Sequence, residues 1–180
     1  MAKLCLRYRV ETHWLAAPFR ISGYVFESSD VVVVELFDGE HLGRGEAAGV
    51  YYLGDDSAHI VAELEAHSDA IESCTSREDL LQLMPRGGAR NAVDCAMWDL
   101  EAKRAGTDAL HLAHIGDAKP LITTFTLGAD DPQVMAEGAR RYADARAIKV
   151  KLTGELELDI ARVGAIRWCP IPPCSGSTEI

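Results

Sequence analysis

A strand–helix–strand–helix pattern over residues 121–167 constrains the fold of this chain more than any other feature. The sequence predicts a strand at 121–127, a helix from Pro132 to Ala145, a second strand at 147–154 and a second helix at 157–167. Strands joined by helical crossovers pair in parallel, and the helices cover one face of the sheet. The second half of the chain is therefore expected to form a parallel sheet with helices on one side.

Two lysines interrupt the apolar run of the second of these strands. Side chains alternate along a strand, so Ile148, Val150 and Leu152 are expected to face the helices, with Lys149 and Lys151 on the opposite, inner face. At a Cα separation of about 6.6 Å the two charges repel by ~2.5 kcal/mol at an effective dielectric of about 20. The repulsion favours loss of a proton from one of them, as a lysine base requires. The alternative is an edge strand whose lysines extend into water; the crossover context favours the inner face of a barrel.

The first fifty residues predict an antiparallel meander. Residues 3–10 alternate as a half-buried strand, and a loop through Pro18 follows. Residues 24–27 and 31–34 predict two further strands with a turn at 28–30, and Asp38-Gly39 closes a hairpin into a strand at 42–48.

Helical periodicity follows from Ser57, the expected N-cap of the first helix, and Ser76 is expected to cap the second. The third and longest helix spans 89–104 and has Gly106 just beyond its end. The positions expected to face the core are Ile60, Leu64 and Ile71, then Val93, Ala96, Met97 and Leu100, and in the last helix of the chain Leu156, Ile160, Val163 and Ile166. With the meander, the helices up to Gly116 predict a unit of the α+β type.

Composition excludes several classes of function. The net charge of −10 over 180 residues, without a basic cluster, argues against a nucleic-acid partner. No apolar run is long enough to span a membrane, and the N-terminus leads directly into a strand rather than a signal-peptide core, which predicts a cytoplasmic protein. The five cysteines form no C-x-x-C pair and are expected to be reduced thiols, most of them filling core space.

Two further motifs accompany the lysine strand. One is Gly43-Arg44-Gly45-Glu46, whose glycines in a strand indicate a bulge or a close backbone approach. The other is the run from Arg90 to Lys103, RNAVDCAMWDLEAK. Together with K-x-K at 149–151, they resemble the muconate-lactonizing branch of the enolase superfamily, and within it the dipeptide epimerases, over about residues 1–168.

The resemblance implies a capping domain at 1–116 and, at 117–168, the first β-α-β-α units of an incomplete (β/α)8 TIM barrel with its active site at the C-terminal ends of the strands. It implies proton abstraction α to a carbonyl or carboxylate, with a magnesium-stabilised enolate between two lysines and a dipeptide as the small-molecule substrate. Lys151 would be the acid/base on one face, and Lys149 would contact the substrate and keep Lys151 neutral.

The cap would supply specificity through loops that match Phe19-Arg20-Ile21 and Val50-Tyr51-Tyr52. Arg20 would pair with a substrate carboxylate, as in Ala-Glu epimerases, or is otherwise a surface arginine. Thr126, near the end of the first barrel strand, would contact substrate or is simply a strand-forming residue. A homo-oligomer is compatible with the sequence.

The chain departs from the family in its second half. A (β/α)8 barrel takes about 250 residues, and only residues 117–180 follow the cap. The family's three carboxylate ligands on the third, fourth and fifth strands, and the opposing lysine on the sixth, have no counterparts. Asp130-Asp131 is expected to belong to a helix cap and Asp159 to a first helical turn, so no magnesium is expected to bind to this chain itself. Residues 169–180 have neither the alternation of a strand nor a run of helix-forming residues. They predict an out-of-frame or artificial ending or, alternatively, a natural flexible tail.

Three hypotheses follow. The chain is the N-terminal part of a magnesium-dependent dipeptide epimerase, itself inactive; or it is a catalytically dead fragment or remnant module; or it derives from an N-acylamino-acid racemase or muconate cycloisomerase. Metal binding by His111 and His114, three residues apart, is not expected, because no third ligand lies near them in the sequence.

Overall fold

A computed structural model of the chain describes residues 3–21, 23–116 and 118–167. These residues form two compact units: the first contains residues 3–13, 29–116 and 118, and the second contains residues 14–21, 23–28 and 119–167. Within the described ranges, no helix is both long and apolar enough to cross a membrane. The predicted tail at 169–180 lies outside the described residues.

A three-stranded sheet with the order β1-β2-β3 runs through the first part of the chain. Its strands are β1 (Cys5–Ile21), β2 (Tyr24–Phe37) and β3 (Leu42–Ala47), and β2 pairs antiparallel with β3 from Val32 opposite Ala47 to Phe37 opposite Leu42. The turn predicted at Asp38-Gly39 connects these two strands: Asp38 accepts hydrogen bonds from two backbone N–H groups, and Gly39 has a φ of 103°. The meander is confirmed in outline.

The predicted loop at Pro18 and the predicted turn at 28–30 are both wrong, because β1 and β2 each run straight through them. Pro18 is tolerated in β1 because that strand lies at the edge of the sheet, where a residue without an N–H costs no ladder bond. At the other position the Thr12 hydroxyl donates to Asp30 across the two strands at 2.6 Å, so a turn-forming residue is held in extended backbone. The two long strands meet at Gly23, which has a φ of 77°.

Five helices complete the first unit: α1 (Ser57–Ala66), α2 (Ser68–Ser73), α3 (Arg77–Leu83), α4 (Gly88–Arg104) and α5 (Ala109–Leu112), preceded by a 3₁₀ turn at Tyr51–Leu53. The Ser76 hydroxyl caps α3 as predicted. Asp56 rather than Ser57 caps α1: its carboxylate accepts a hydrogen bond from the N–H of His59. A charged carboxylate is a stronger acceptor than a serine hydroxyl. Gly106, with a φ of 62°, follows α4 in the left-handed conformation expected there.

The core of the first unit lies between the sheet and the helices. The core positions predicted for the first and third helices lie in α1, α2 and α4 of the structure. All are buried: Ile60, Leu64, Ile71, Val93, Ala96, Met97 and Leu100. They pack against three alternate residues of β2, Val32, Val34 and Leu36, each fully buried. The cysteines of the described residues fill less core space than the sequence predicts: Cys5 and Cys74 are only partly buried, and Cys95 is exposed.

The glycines of β3 let that strand lie directly against α4. A Cβ on Gly43 would meet the backbone of Ala96 and Leu100, and a Cβ on Gly45 would meet the carbonyl oxygen of Ala92 and the nitrogen of Ala96. Of the two interpretations of the Gly-x-Gly motif, the close backbone approach is the one that the structure supports.

The second unit has the predicted alternation of strands and helices. Its elements are β4 (Phe125–Leu127), α6 (Pro132–Arg141), β5 (Ile148–Val150) and α7 (Leu156–Arg167). The strands pair in parallel, and both are shorter than the sequence predicts. A small core of Leu127, Met135 and Ala139 packs against Ile148, Val150 and Ile166 on the helix side of the sheet.

The predicted buried face of α7 is wrong at three of its four positions. Leu156 is 70% exposed and Ile160 is 58% exposed, and Val163 is also exposed, whereas Asp159 and Arg162 are buried. Only Ile166 packs on the core. The reason is that Asp159 and Arg162 find hydrogen-bonding partners in loops of the same unit, which offsets their loss of hydration.

Candidate functional site

The two lysines lie on the face of the β4–β5 sheet that the helices leave uncovered. In the parallel register Thr126 pairs with Lys149 and Leu127 pairs with Val150. Because Ile148, Val150 and Leu127 pack on the helix side, alternation places Thr126, Lys149 and Lys151 on the opposite face. Lys149 is exposed, and Thr126 and Lys151 are half-buried.

Lys151 is held at the C-terminal end of the pair of strands by its backbone. Its N–H donates to the carbonyl oxygen of Leu127 at 3.0 Å, which continues the ladder one residue beyond β5. The structure thus places Lys149, Lys151 and Thr126 on the same face of the β4–β5 sheet, with Lys151 just beyond the end of β5.

Arg20, from the end of β1, lies beside the loop that follows β4. The Ala129 N–H donates to the carbonyl oxygen of Arg20 at 2.8 Å, and a Cβ on Gly128 would come within 2.8 Å of the Arg20 nitrogen. The guanidinium donates from Nε to the Asp130 carboxylate at 2.9 Å, with the arginine side chain 43% exposed. Arg20 is therefore a half-exposed cation paired with Asp130, and its role in substrate binding stays a prediction.

The loop after Lys151 is closed by a buried ion pair that the sequence did not identify. Arg162 Nη1 lies 2.8 Å from Asp159 Oδ1, and the side chains are only 7% and 10% exposed. The N–H groups of Thr153 and Gly154 both donate to the Asp159 carboxylate. Burial alone would raise the pKa of Asp159, but the hydrogen bonds from Arg162, Gly154 and Thr153 outweigh it and lower that pKa below its ordinary value.

Asp130, Asp159 and Arg162 are the functional candidates that sequence reasoning missed. Asp159 and Arg162 have the i,i+3 spacing of a helical ion pair, which was the available signal. The apolar residues Leu156, Ile160 and Val163 of the same helix predicted a different buried face. Asp159 lies in the first turn of α7, as the sequence predicts, but its side chain is buried.

Tyr51 belongs to the first unit. It is the first residue of the 3₁₀ turn, is 42% exposed, and packs edge to face on the ring of Tyr52 with the centroids 5.2 Å apart. The exposed aromatic pair is suited to contact with an apolar group, and its role in substrate binding stays a prediction.

The carboxylates of the described ranges form no magnesium site. No three His, Cys, Asp or Glu side chains in that part of the chain lie close enough together to hold a metal ion. Asp130 is occupied by Arg20, and Asp159 by Arg162 and two backbone N–H groups. His111 pairs with Asp108 at 2.8 Å.

Comparison with known proteins gives a family match over most of the first unit. Residues 6–113 match the family described as mandelate racemase / muconate lactonizing enzyme, N-terminal domain. The L-Ala-D/L-Glu epimerase of Escherichia coli is 35% identical over 149 residues, which are 81% of this chain and 46% of that protein. A hydrophobic dipeptide epimerase of Enterococcus faecalis is 32% identical, over 85% of this chain and 46% of that protein.

Solved structures match the described fold over both units. An enolase family member from Agrobacterium tumefaciens, with homology to dipeptide epimerases and with bound sodium and L-Ala-L-Glu, has a TM-score of 0.84 and 35% identity over 91% of this chain and 50% of its own. The dipeptide epimerase of Enterococcus faecalis V583, complexed with Mg and L-Leu-L-Tyr, has a TM-score of 0.79 and 26% identity over 93% of this chain and 51% of its own. The chain spans about half the length of the relatives it matches.

Proposed function

Since the chain belongs to the mandelate racemase / muconate lactonizing enzyme family of the enolase superfamily, we propose that it is the N-terminal part of a dipeptide epimerase. Residues 1–116 are the capping domain, residues 117–168 are the first β-α-β-α units of a (β/α)8 barrel, and residues 169–180 are an unrelated tail. The observation that carries the proposal is the clustering of Lys149, Lys151 and Thr126 on the uncovered face of the β4–β5 sheet. In a closed barrel that face is the interior.

Epimerisation removes the proton α to a carbonyl and returns one to the opposite face of the planar intermediate. Lys151 is the base on one face: its amine takes the α-proton from the epimer whose C–H bond points to that face, and in the reverse direction its ammonium returns a proton to the same face. Lys149, two residues away on the same strand face, contacts the substrate. Thr126 is placed to donate a hydrogen bond to the substrate. An epimerase needs a second acid/base on the other face, for which we assign no residue of this chain.

In the complete site of the family, a bound magnesium ion would supply positive charge next to the carbonyl or carboxylate of the substrate. The donors in the described ranges do not fit that role, because no three of them converge. We therefore assign no step to a metal in this chain, and we propose that the 180 residues alone do not turn over a dipeptide.

The substrate class follows from Arg20. Its Nε is bonded to Asp130, which leaves the Nη edge of a half-exposed guanidinium outside that hydrogen bond. A planar pair of N–H donors is matched to a carboxylate, so we propose a dipeptide with an acidic second residue, such as Ala-Glu. Tyr51 would contribute from the other cap loop. An N-acylamino-acid racemase, a muconate cycloisomerase and a dead remnant module are the alternatives.

We further propose a cytoplasmic protein without a nucleic-acid partner, in line with the net charge of −10.

The proposal is tested with a chimaera that joins residues 1–167 to the remaining half of the Escherichia coli L-Ala-D/L-Glu epimerase. In D₂O with magnesium, the chimaera is expected to exchange the glutamate α-proton of L-Ala-L-Glu, as followed by ¹H NMR. The variant Lys151→Met is expected to abolish conversion of L-Ala-L-Glu to L-Ala-D-Glu, because proton transfer on one face is lost, while Lys119→Met, outside the lysine strand, leaves this conversion unchanged.

Three results would contradict the proposal. A folded chimaera that exchanges no α-proton would argue for the remnant module. Turnover by the 180-residue chain alone would show that it has a complete site. A chimaera that prefers N-acylamino acids or muconate over dipeptides would support the corresponding alternative.

A further inference from the structure

A continuous set of hydrogen bonds links the loop after Lys151 to Arg20. It starts at Asp159, whose carboxylate accepts the Gly154 N–H at 2.8 Å and the Thr153 N–H at 3.2 Å. These bonds fix the backbone of the loop that begins two residues after Lys151. A buried carboxylate held by backbone N–H groups and a guanidinium is costly to displace, so the loop has one favoured conformation.

Arg162 joins this loop to the next one. Its Nη1 donates to Thr153 Oγ1 at 2.7 Å as well as to Asp159, and its Nε donates to the backbone carbonyl oxygen of Asp130 at 2.8 Å. One guanidinium therefore spans the loops that follow β4 and β5. A lysine in its place would have a single nitrogen and could not reproduce this fork.

Asp130 carries the connection to the third segment. Its backbone is held by Arg162, and its side chain accepts from Arg20 Nε at 2.9 Å. The neighbouring Ala129 N–H bonds to the Arg20 carbonyl oxygen. The orientation of the Arg20 guanidinium thus depends on where Arg162 holds the Asp130 backbone, although no hydrogen bond joins Arg162 to Arg20 directly.

We propose that Asp130, Asp159 and Arg162 are positioning residues, which set the acid/base lysine and the specificity arginine at a fixed spacing. The inference rests on the proposed function, because it assumes the roles assigned to Lys151 and Arg20. It explains why α7 buries a charged pair and exposes Leu156 and Ile160. An apolar pair in the same place would pack, but would hold neither loop.

The test uses the ¹⁵N-labelled 180-residue chain without substrate and measures hydrogen exchange by NMR. Arg162→Lys keeps the charge beside Asp159. In this variant, exchange of the Arg20 Nε–H is expected to accelerate about tenfold, because the protection that one charged hydrogen bond gives is lost. Backbone amides of β4 and β5 are expected to keep their rates. A purely structural role would instead accelerate those amides and leave no selective effect at Arg20.

Two further variants serve as the positive and the negative control for exchange of the Arg20 Nε–H. Asp130→Asn removes the charged acceptor of Arg20 but retains the carbonyl that binds Arg162, so it is expected to release the Arg20 Nε–H and leave the Gly154 amide protected. Arg167→Lys, at the exposed end of the same helix, is expected to change neither. If Arg162→Lys does not fold, Thr153→Val, which removes one of the three acceptors of Arg162, takes its place and is expected to accelerate exchange of the Arg20 Nε–H in the same direction by a smaller factor.

The proposal is overturned if Asp130→Asn releases the Arg20 Nε–H and Arg162→Lys, or its substitute, does not. That outcome leaves the proposed function intact, because the chimaera assay does not depend on it. A chimaera without α-proton exchange, together with selective release of Arg20 in Arg162→Lys, would refute the function and leave the hydrogen-bonded network standing.

Discussion

Gly45→Ala is expected to destabilise the first unit strongly, because strand β3 and helix α4 touch backbone to backbone at this point. A Cβ on Gly45 would lie 2.7 Å from the nitrogen of Ala96 and 2.8 Å from the Cβ of Cys95, and nearer still to the carbonyl oxygen of Ala92. Optimal carbon contacts are about 3.5–4.0 Å, so the helix would have to retreat by roughly 1 Å. Helix backbone cannot rotate away as a side chain tip can.

The magnitude follows from what that retreat disrupts. A gap of about 0.5–1 Å forfeits a quarter to a half of each dispersion contact along the strand–helix interface, and overpacking of this kind costs about 1–3 kcal/mol or more. We expect a loss of about 3 kcal/mol in the free energy of unfolding, or roughly 10 °C in the melting temperature. Gly43, two residues earlier, faces the Ala96 carbonyl and Leu100 and is expected to behave in the same way.

Urea unfolding followed by circular dichroism measures the effect, with Gly164→Ala as the control. Gly164 lies in α7 with no heavy atom near its hypothetical Cβ, so the substitution should stabilise that helix by about 0.5–1 kcal/mol. Trp98 on α4, which stacks beneath the Arg77 guanidinium at 3.4 Å from the ring centroid, provides a fluorescence probe of the first unit in a Trp14→Phe, Trp168→Phe background. Equal stability of Gly45→Ala and the parent chain would refute the close-approach argument.

Two further predictions concern the first unit. Leu100→Ala, at a side chain that is 1% exposed, should cost about 2–5 kcal/mol in urea unfolding, whereas Leu81→Ala, at a half-exposed position, should cost under about 0.5 kcal/mol; equal losses would contradict the assigned core. The His41 N–H, the Arg104 guanidinium and the Glu40 N–H hold the pKa of Asp38 well below its ordinary value, so the carboxylate stabilises the fold fully above the unfolded pKa of about 3.9 and less as pH falls below it. Asp38→Asn should therefore lower stability by roughly 1–2 kcal/mol at pH 7 and flatten its decline below about pH 4, while Asp69→Asn, at a 99% exposed side chain, should change neither; an unaltered acid profile in Asp38→Asn would contradict the assignment.

Local chemistry made much of the first unit predictable. The stripe of Val93, Ala96, Met97 and Leu100 is buried as its spacing predicts, because one long helix packs a single face against one sheet. The Ser76 cap and the Gly106 terminus depend only on neighbouring backbone, and both were predicted. The full lengths of β1 and β2 were not predicted, since Pro18 is compatible with a strand only at a sheet edge, and strand order is a property of the whole sheet.

The candidate site divides in the same way. Alternation along one strand put Lys149 and Lys151 on one face, and the β-α-β-α pattern indicated that helices cover the other; the packing of Ile148 and Val150 agrees with this. The partner of Arg20 could not be predicted, because Asp130 is 110 residues away in the chain and its position depends on the loop after β4.

What the sequence by itself determined is the order of elements, the core of the first unit and the shared face of the lysines, all of which depend on periodicity within a single element. Only the tertiary structure decided which side of α7 is buried. Leu156 and Ile160 have the spacing of a core face, yet Asp159 and Arg162 are inside, because their hydrogen-bonding partners come from two separate loops. Apolar periodicity records what a helix can bury, and the acceptors supplied by distant residues determine what it does bury.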